Sequence, residues 1–261
     1  ETFMNVMDVK KNLFRTVISE YEFGRPCYPE GVYEAIRRFS NIDENSRILE
    51  VGAGTGQATD LFVSHGHRLD VLEVSDEQAD YLRHKYSKYA GVNVFKYYFE
   101  DYSSDEEYDL IYSATAFHWI KCENGYPKAW SMLRKGGTMA VFWNVFFDMY
   151  FSGGIFDELN KIRLKYMPDE TLGLPLERIK EKRIKQITVG GCFGQPEYVE
   201  FNSKEQYRTE RFLAYLKTSS AVLMLDADTK ARYLAEVSDC IERHGGSIEV
   251  PAVISLYLVR K

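Results

Sequence analysis

Three glycines two residues apart, Gly52, Gly54 and Gly56, stand in the segment Glu50-Val-Gly-Ala-Gly-Thr-Gly56. Glycines at this pitch let the chain turn tightly and bring backbone N–H groups against a ligand. A helix that begins just after the turn points its positive end at the same spot. A dinucleotide fingerprint, G-x-G-x-x-G, needs its third glycine one residue later than Gly56 stands. Glu50, two residues before Gly52, puts an acid at the end of the strand that leads into the turn. That acid suits a ligand with a free ammonium better than a pyrophosphate.

A second acid, Glu73, lies twenty-one positions after Gly52 and ends the next apolar segment. A carboxylate there can accept two hydrogen bonds from a ribose diol. That role is shared by nicotinamide and adenosyl ligands and does not separate them. Tyr98-Phe-Glu-Asp-Tyr102 ends the third apolar segment. Phe99 could pack on an adenine ring and Glu100 or Asp101 could accept from its exocyclic amine. An ammonium, a carboxylate, a ribose and an adenine together describe S-adenosylmethionine. His118, after the fourth segment, ionises near neutral pH and is a candidate general base. The other histidines lie away from the strand ends.

These residues need a scaffold that gathers strand ends. Arg47–Val51, Leu69–Val74, Val92–Phe99, Tyr108–Ala114 and Thr138–Trp143 read as short buried strands. Helices are expected between them over Gln57–His65, from Ser75 to about Tyr89, and over Pro127–Leu133. Ser75 and Gln78 have the spacing of a capping box. A further helix starts at Pro29, with Val32, Ala35, Ile36 and Phe39 on one face. Such alternation specifies an α/β fold, doubly wound and Rossmann-like, with a mostly parallel seven-stranded sheet and helices on both faces. After about Asn144 the pattern turns to amphipathic helix, apart from a short strand at Glu197–Phe201, until a last strand within 245–259. The expected organisation is an N-terminal helical arm over 1–45, a cofactor-binding core from 46–145 with 236–261, and a helical lid over 146–235. Phe146, Phe147, Tyr150, Phe151 and Tyr215 are its candidate acceptor-facing aromatics.

The bulk properties exclude several classes. The 261 residues carry a formal net charge of −6, which opposes broad electrostatic binding to nucleic acid. No apolar run is long enough to span a membrane, and the first residues lack the pattern of a secretion signal. The four cysteines have neither disulfide-framework nor zinc-ligand spacing, so no metal is expected and a cytoplasmic location is. The mixed-sign run Glu177–Lys185 reads as a solvated helix face.

Taken in order, ILEVGAGTGQAT at 48–59, LEVS at 72–75, FEDY at 99–102, YDLIYSATAFHWI at 108–120 and LRKGGTMAVFWN at 133–144 resemble the small-molecule class I methyltransferases of the broad Methyltransf_11/25 type. The arm Tyr21-Glu-Phe-Gly-Arg-Pro-Cys-Tyr-Pro29 is similar to that family's Y-x-x-x-R-P-x-Y-P. The resemblance implies a methyl transfer from S-adenosylmethionine to a small-molecule acceptor, leaving S-adenosylhomocysteine. It also implies that Gly52, Ala53, Gly54 and Gly56 contact the methionyl part, with Glu50 helping to place it. Glu73 and Val74 would serve the ribose, and Phe99 and Glu100 would flank adenine. Ala114 would lie under the sulfonium, with Tyr21 and Arg25 closing over the cofactor. Tyr98-Phe99 stand where many relatives have Asp-Ala, which leaves backbone contacts to recognise adenine there. The alternatives are a non-catalytic S-adenosylmethionine-binding module and a nicotinamide-dependent oxidoreductase, which the glycine spacing opposes.

Overall fold

The computed structural model describes residues 17–146, 151–168 and 173–261. Phe147, Tyr150 and residues 1–16 of the N-terminal arm lie outside the described residues. Seven strands form one sheet: β1 (Ile48–Val51), β2 (Leu69–Glu73), β3 (Val92–Lys96), β4 (Tyr108–Ala114), β5 (Leu133–Asn144), β6 (Glu197–Arg208) and β7 (Ser247–Arg260). Their order is β3-β2-β1-β4-β5-β7-β6. Pairing is parallel from β3 through to β5, and β7 runs antiparallel to β5. The mostly parallel α/β sheet expected from the strand–helix alternation is therefore present. All four residues of β1 are buried, as a strand covered by helices on both faces requires.

The helices are α1 (Ile18–Gly24), α2 (Glu30–Ser40), α3 (Thr59–Val63), α4 (Asp76–Lys85), α5 (Cys122–Met132), α6 (Ile155–Tyr166), α7 (Leu176–Thr188), α8 (Thr209–Lys217), α9 (Ser220–Leu223) and α10 (Ala227–Arg243). Several boundaries differ from the sequence expectation for identifiable reasons. The helix expected over Gln57–His65 is the five-residue α3, because Gly56 holds φ 93° at its start and Gly66 holds φ 78° beyond its end. The strand expected to reach Phe99 stops at Lys96, and Phe99 sits in a turn closed by the Asp101 and Tyr102 N–H groups on the Tyr98 carbonyl. Pro127 lies inside α5 rather than at its start. Gly125 admits that earlier start, since a Cβ there would stand 2.7 Å from Ile120. Lys135-Gly136-Gly137 is absorbed into β5 as an irregularity between the Tyr108 and Leu110 pairings, with Gly136 at φ 78°. At α4, Ser75 Oγ accepts the Gln78 N–H at 3.3 Å, half of the expected capping box. The Ser75 N–H goes to Glu73 instead, at 3.0 Å.

The chain forms two compact units, each with its own core. A sheet unit comprises Cys27–Asn144, Glu177–Phe201 and Ile254–Lys261. A helical unit comprises the described parts of Glu1–Pro26, Val145–Leu176 and Asn202–Val253. The sequence reading draws its divisions at 45/46, 145/146 and 235/236 instead. Packing explains the difference: Val32 and Ile36 of α2 join the core of the sheet unit, whereas Tyr233, Val237 and Ile241 of α10 join that of the helical unit.

Phe62 of α3 is fully buried and stacks on Tyr112 of β4, with 4.2 Å between ring centroids. It fastens the element after the glycine turn to the middle of the sheet. Phe62→Ala should lower unfolding free energy by about 3–5 kcal/mol, read as a shifted midpoint in urea with an unchanged slope.

Candidate active site

The sheet order runs outward in opposite directions from β1 and β4, so the crevice at their carboxyl ends is a topological switch point. Open α/β sheets bind ligands there. The glycine turn follows β1 directly. Gly52, Gly54 and Gly56 hold φ of 75°, 60° and 93°, in the left-handed region that glycine alone enters freely. A Cβ at Gly52 would come within 2.6 Å of the Ala116 side chain, and one at Gly56 within 2.4 Å of the Tyr86 hydroxyl. At Gly52 and Gly56 the turn is thus pressed against the loop after β4 and helix α4, with no room for a side chain.

Glu73 is tied to the turn. Its Oε2 accepts the Gly54 N–H at 2.8 Å, and its Oε1 accepts the N–H groups of Val74 at 2.8 Å and Ser75 at 3.0 Å. A carboxylate offers about four acceptor positions, of which these bonds take three. Roughly one remains for a ribose hydroxyl, against the two expected from sequence. Burial raises the pKa of Glu73, and the three backbone donors oppose the rise.

Glu50 is fully buried. Its Oε2 accepts from the hydroxyls of Thr59 at 2.6 Å and Tyr112 at 2.8 Å. Its Oε1 has no hydrogen-bond partner. Desolvation pushes its pKa from 4.5 up to about 7 despite those two donors, with the negative charges of Asp60 and Glu73 adding to the rise. An orphaned carboxylate oxygen behind a cradle of glycines fits a ligand that brings a positive charge.

The end of β4 contributes Ala114, half-buried and paired with Phe142, and then Thr115. Thr115 holds φ 52°, an uncommon conformation for a β-branched residue. Its N–H bonds the Phe142 carbonyl at 2.7 Å, its Oγ1 pairs with the Tyr28 hydroxyl at 2.8 Å, and the Asn144 N–H reaches the same oxygen at 3.3 Å. These bonds hold the uncommon conformation in place at the strand end. Sequence reading passed over Thr115; the only hint was Tyr28, the second tyrosine of the arm motif.

Phe99 is buried against Phe117, and Glu100 beside it is exposed. His118 lies in a short 3₁₀ turn, Phe117–Trp119. Its Nδ1 stands 3.1 Å from the Trp143 indole N–H, which can only donate. Neutral His118 therefore uses its basic nitrogen to hold Trp143 and carries its proton on Nε2. Tyr21 and Arg25 fall in the helical unit. There Arg25 bonds Thr218 Oγ1 at 2.8 Å and the Thr218 carbonyl at 3.0 Å, and lies over the Tyr21 ring at 4.9 Å. That unit also gathers Glu158, Cys240 and His244, whose ligand-type atoms lie within 4.8 Å of one another. The Arg243 guanidinium, 3.2 Å from Glu158, competes there with any cation.

A model of the methyltransferase domain matches residues 48–137, which hold the glycine turn, Glu73, Phe99, Ala114 and His118. That match and the similar proteins support a class I S-adenosylmethionine-dependent methyltransferase. An uncharacterized methyltransferase-like protein of Schizosaccharomyces pombe is 27% identical over 230 residues, 87% of this chain and 84% of that protein. Two solved structures share the fold. One is from Anabaena variabilis, assigned as a methyltransferase of an antibiotic biosynthesis pathway (17% identity, TM-score 0.63, 90% of this chain and 98% of that one). The other is a phosphoethanolamine N-methyltransferase of Haemonchus contortus, in complex with phosphomonomethylethanolamine and S-adenosylhomocysteine (14% identity, TM-score 0.55, 95% of this chain and 57% of that one). The methyltransferase uses S-adenosylmethionine as its methyl donor.

Glu50 sets a pH dependence. The folded state holds its proton more tightly than the unfolded chain does. Its contribution to stability is therefore fully present below about pH 4.5 and declines as pH rises towards about 7. A shift of this size is worth on the order of 3 kcal/mol. Urea titrations of Glu50→Gln should lack this decline between pH 4.5 and 7. A wild-type minus variant difference that is flat with pH would show that Glu50 does not titrate there.

Proposed function

We propose that the methyltransferase acts on a small molecule, with the glycine turn, Glu50, Glu73 and the ends of β3 and β4 forming its cofactor site. The observation that carries this reading is the buried, unpartnered Glu50 Oε1 behind the Gly52–Gly56 turn. When bound, S-adenosylmethionine supplies an electrophilic methyl group, which an acceptor heteroatom or carbon takes in line.

Each residue then has a defined task. Gly52, Ala53, Gly54 and Gly56 receive the methionyl portion against the backbone, and Glu50 supplies the negative charge that complements its ammonium. Glu73 holds the turn and accepts one ribose hydroxyl with its remaining acceptor position, beside Val74. Phe99 and Glu100 border the adenine. Ala114 and Thr115 shape the wall at the reacting methyl. Tyr21 and Arg25 take a structural role, which their contacts within the helical unit support. His118 is a positioning residue: it donates from Nε2 while Nδ1 holds Trp143. The protein thereby contributes orientation and exclusion of water more than proton transfer.

The helical unit is the part that a bare cofactor-binding sheet lacks, and we assign acceptor recognition to it. The net charge of −6 supports a small molecule over nucleic acid. All four cysteines are free, which supports a reducing, cytoplasmic setting. No described helix is long and apolar enough to cross a membrane.

Calorimetry with S-adenosylhomocysteine should give one site per chain. Gly54→Val should abolish it with the circular dichroism spectrum intact, because valine resists φ 60° and so distorts the turn. Wild-type affinity in Gly54→Val would remove the turn from the cofactor site. Labelled methyl transfer into cell-extract small molecules should be lost with that variant. Once an acceptor is in hand, His118→Gln should lower kcat by about tenfold or less and leave the pH profile unchanged. Loss of a general base would cost roughly 10²–10⁴ and remove the basic limb.

A further inference from the structure

Helices α6 and α10 pack against each other within the helical unit. At the end of α6 the Tyr166 hydroxyl donates to Glu236 at 2.6 Å, and Lys165 pairs with the same carboxylate. Nearer its start, Glu158 faces Cys240 and His244. Cys240 stands in the last turn of α10 and His244 just past its end, and a spacing of four puts both on one face. Glu158 comes 82 positions before Cys240, which sequence spacing does not reveal.

The three side chains offer a thiol sulfur, an imidazole nitrogen and a carboxylate, all within 4.8 Å of one another. Cys240 Sγ is 3.7 Å from Glu158 Oε2, and His244 Nε2 is 3.4 Å from Glu158 Oε1. Ligand atoms on a tetrahedral zinc ion stand roughly 3.2–3.7 Å apart, given bond lengths of about 2.0–2.3 Å. Cys240 is fully buried, whereas Glu158 and His244 are partly exposed, which leaves a path in from solvent.

His244 supplies an independent observation. Its Nδ1 stands 2.8 Å from the Cys240 carbonyl oxygen, which can only accept. The proton of the neutral ring is therefore on Nδ1, and the bare lone pair of Nε2 is turned towards a carboxylate oxygen. Two acceptors face each other there, and a cation between them, a second ring proton or a metal ion, resolves the clash. A backbone carbonyl on the far nitrogen is also what orients metal-binding histidines. The Arg243 guanidinium reaches Glu158 Oε2 at 3.2 Å, but its side chain is 64% exposed and can turn away into water.

We propose that Glu158, Cys240 and His244 form a zinc site that joins α6 to the end of α10, with water in the fourth position. Thiolate, imidazole and carboxylate together suit zinc rather than magnesium or calcium, which take oxygen ligands. Binding displaces Arg243 from Glu158 and releases the thiol proton to solvent.

The test titrates the whole chain, free of any affinity tag and kept reduced by a non-thiol reductant, with zinc chloride and in parallel with cobalt(II) chloride. Zinc should bind one per chain. Cobalt should give a near-ultraviolet thiolate-to-metal band that one equivalent of zinc removes. Cys240→Ser should abolish that band. His244→Gln should weaken zinc binding by about a hundredfold or more. Arg243→Gln should tighten it by about twofold to fivefold, the worth of an exposed ion pair. No thiolate band in the wild type, a band that survives Cys240→Ser, or wild-type zinc affinity in His244→Gln overturns the proposal. His244→Gln, at an exposed position, carries the decision if Cys240→Ser does not fold.

Discussion

A carboxylate taken out of water must find donors within the protein, and Glu73 finds three of them in the backbone around it. One of the three is the N–H of Gly54, in a turn that no ordinary residue could follow. The other two are the N–H groups that lead into α4. A single side chain at the end of β2 thus fixes the shape of the turn after β1 and the start of the next helix. Hydrogen bonds to a charged acceptor are worth about 1.5–3 kcal/mol each. The set helps to hold a turn in which Gly52, Gly54 and Gly56 all take left-handed φ.

Glu50 is the counterpart with the opposite character. It is as deeply buried as Glu73, yet its donors are two hydroxyls on one oxygen, and the other oxygen is bare. Glu73 gives the site its form, whereas Glu50 keeps an unmet electrostatic demand within it. That contrast distinguishes a carboxylate that builds a turn from one that keeps an oxygen without a donor. Thr115 adds a third form of stored cost, a β-branched residue at φ 52° held by Tyr28 and by the backbone of β5.

Around His118 the same logic fixes a tautomer. An indole N–H cannot accept, so its approach to Nδ1 from Trp143, twenty-five positions later in β5, places the proton of the neutral imidazole on Nε2 without any pKa argument.

By itself the sequence determined the α/β alternation, the position of the glycine turn and the acids Glu50 and Glu73, because hydrophobic period and glycine spacing are local properties. It also carried the resemblance to the class I methyltransferases, through segments whose order survives in one dimension. It placed Phe99 and Pro127 on the wrong side of element boundaries, since helix and strand ends depend on which turn residues the rest of the fold accommodates. Only the tertiary structure decided that Glu73 spends most of its acceptors on backbone, that Thr115 is strained and that His118 faces Trp143. It alone drew Arg25 to Thr218 and brought Glu158 of α6 to Cys240 and His244 at the end of α10. Each of these is a contact between residues far apart in the chain. Side-chain type and spacing state what a group can do, and burial together with the partner it meets decides which of those things it does.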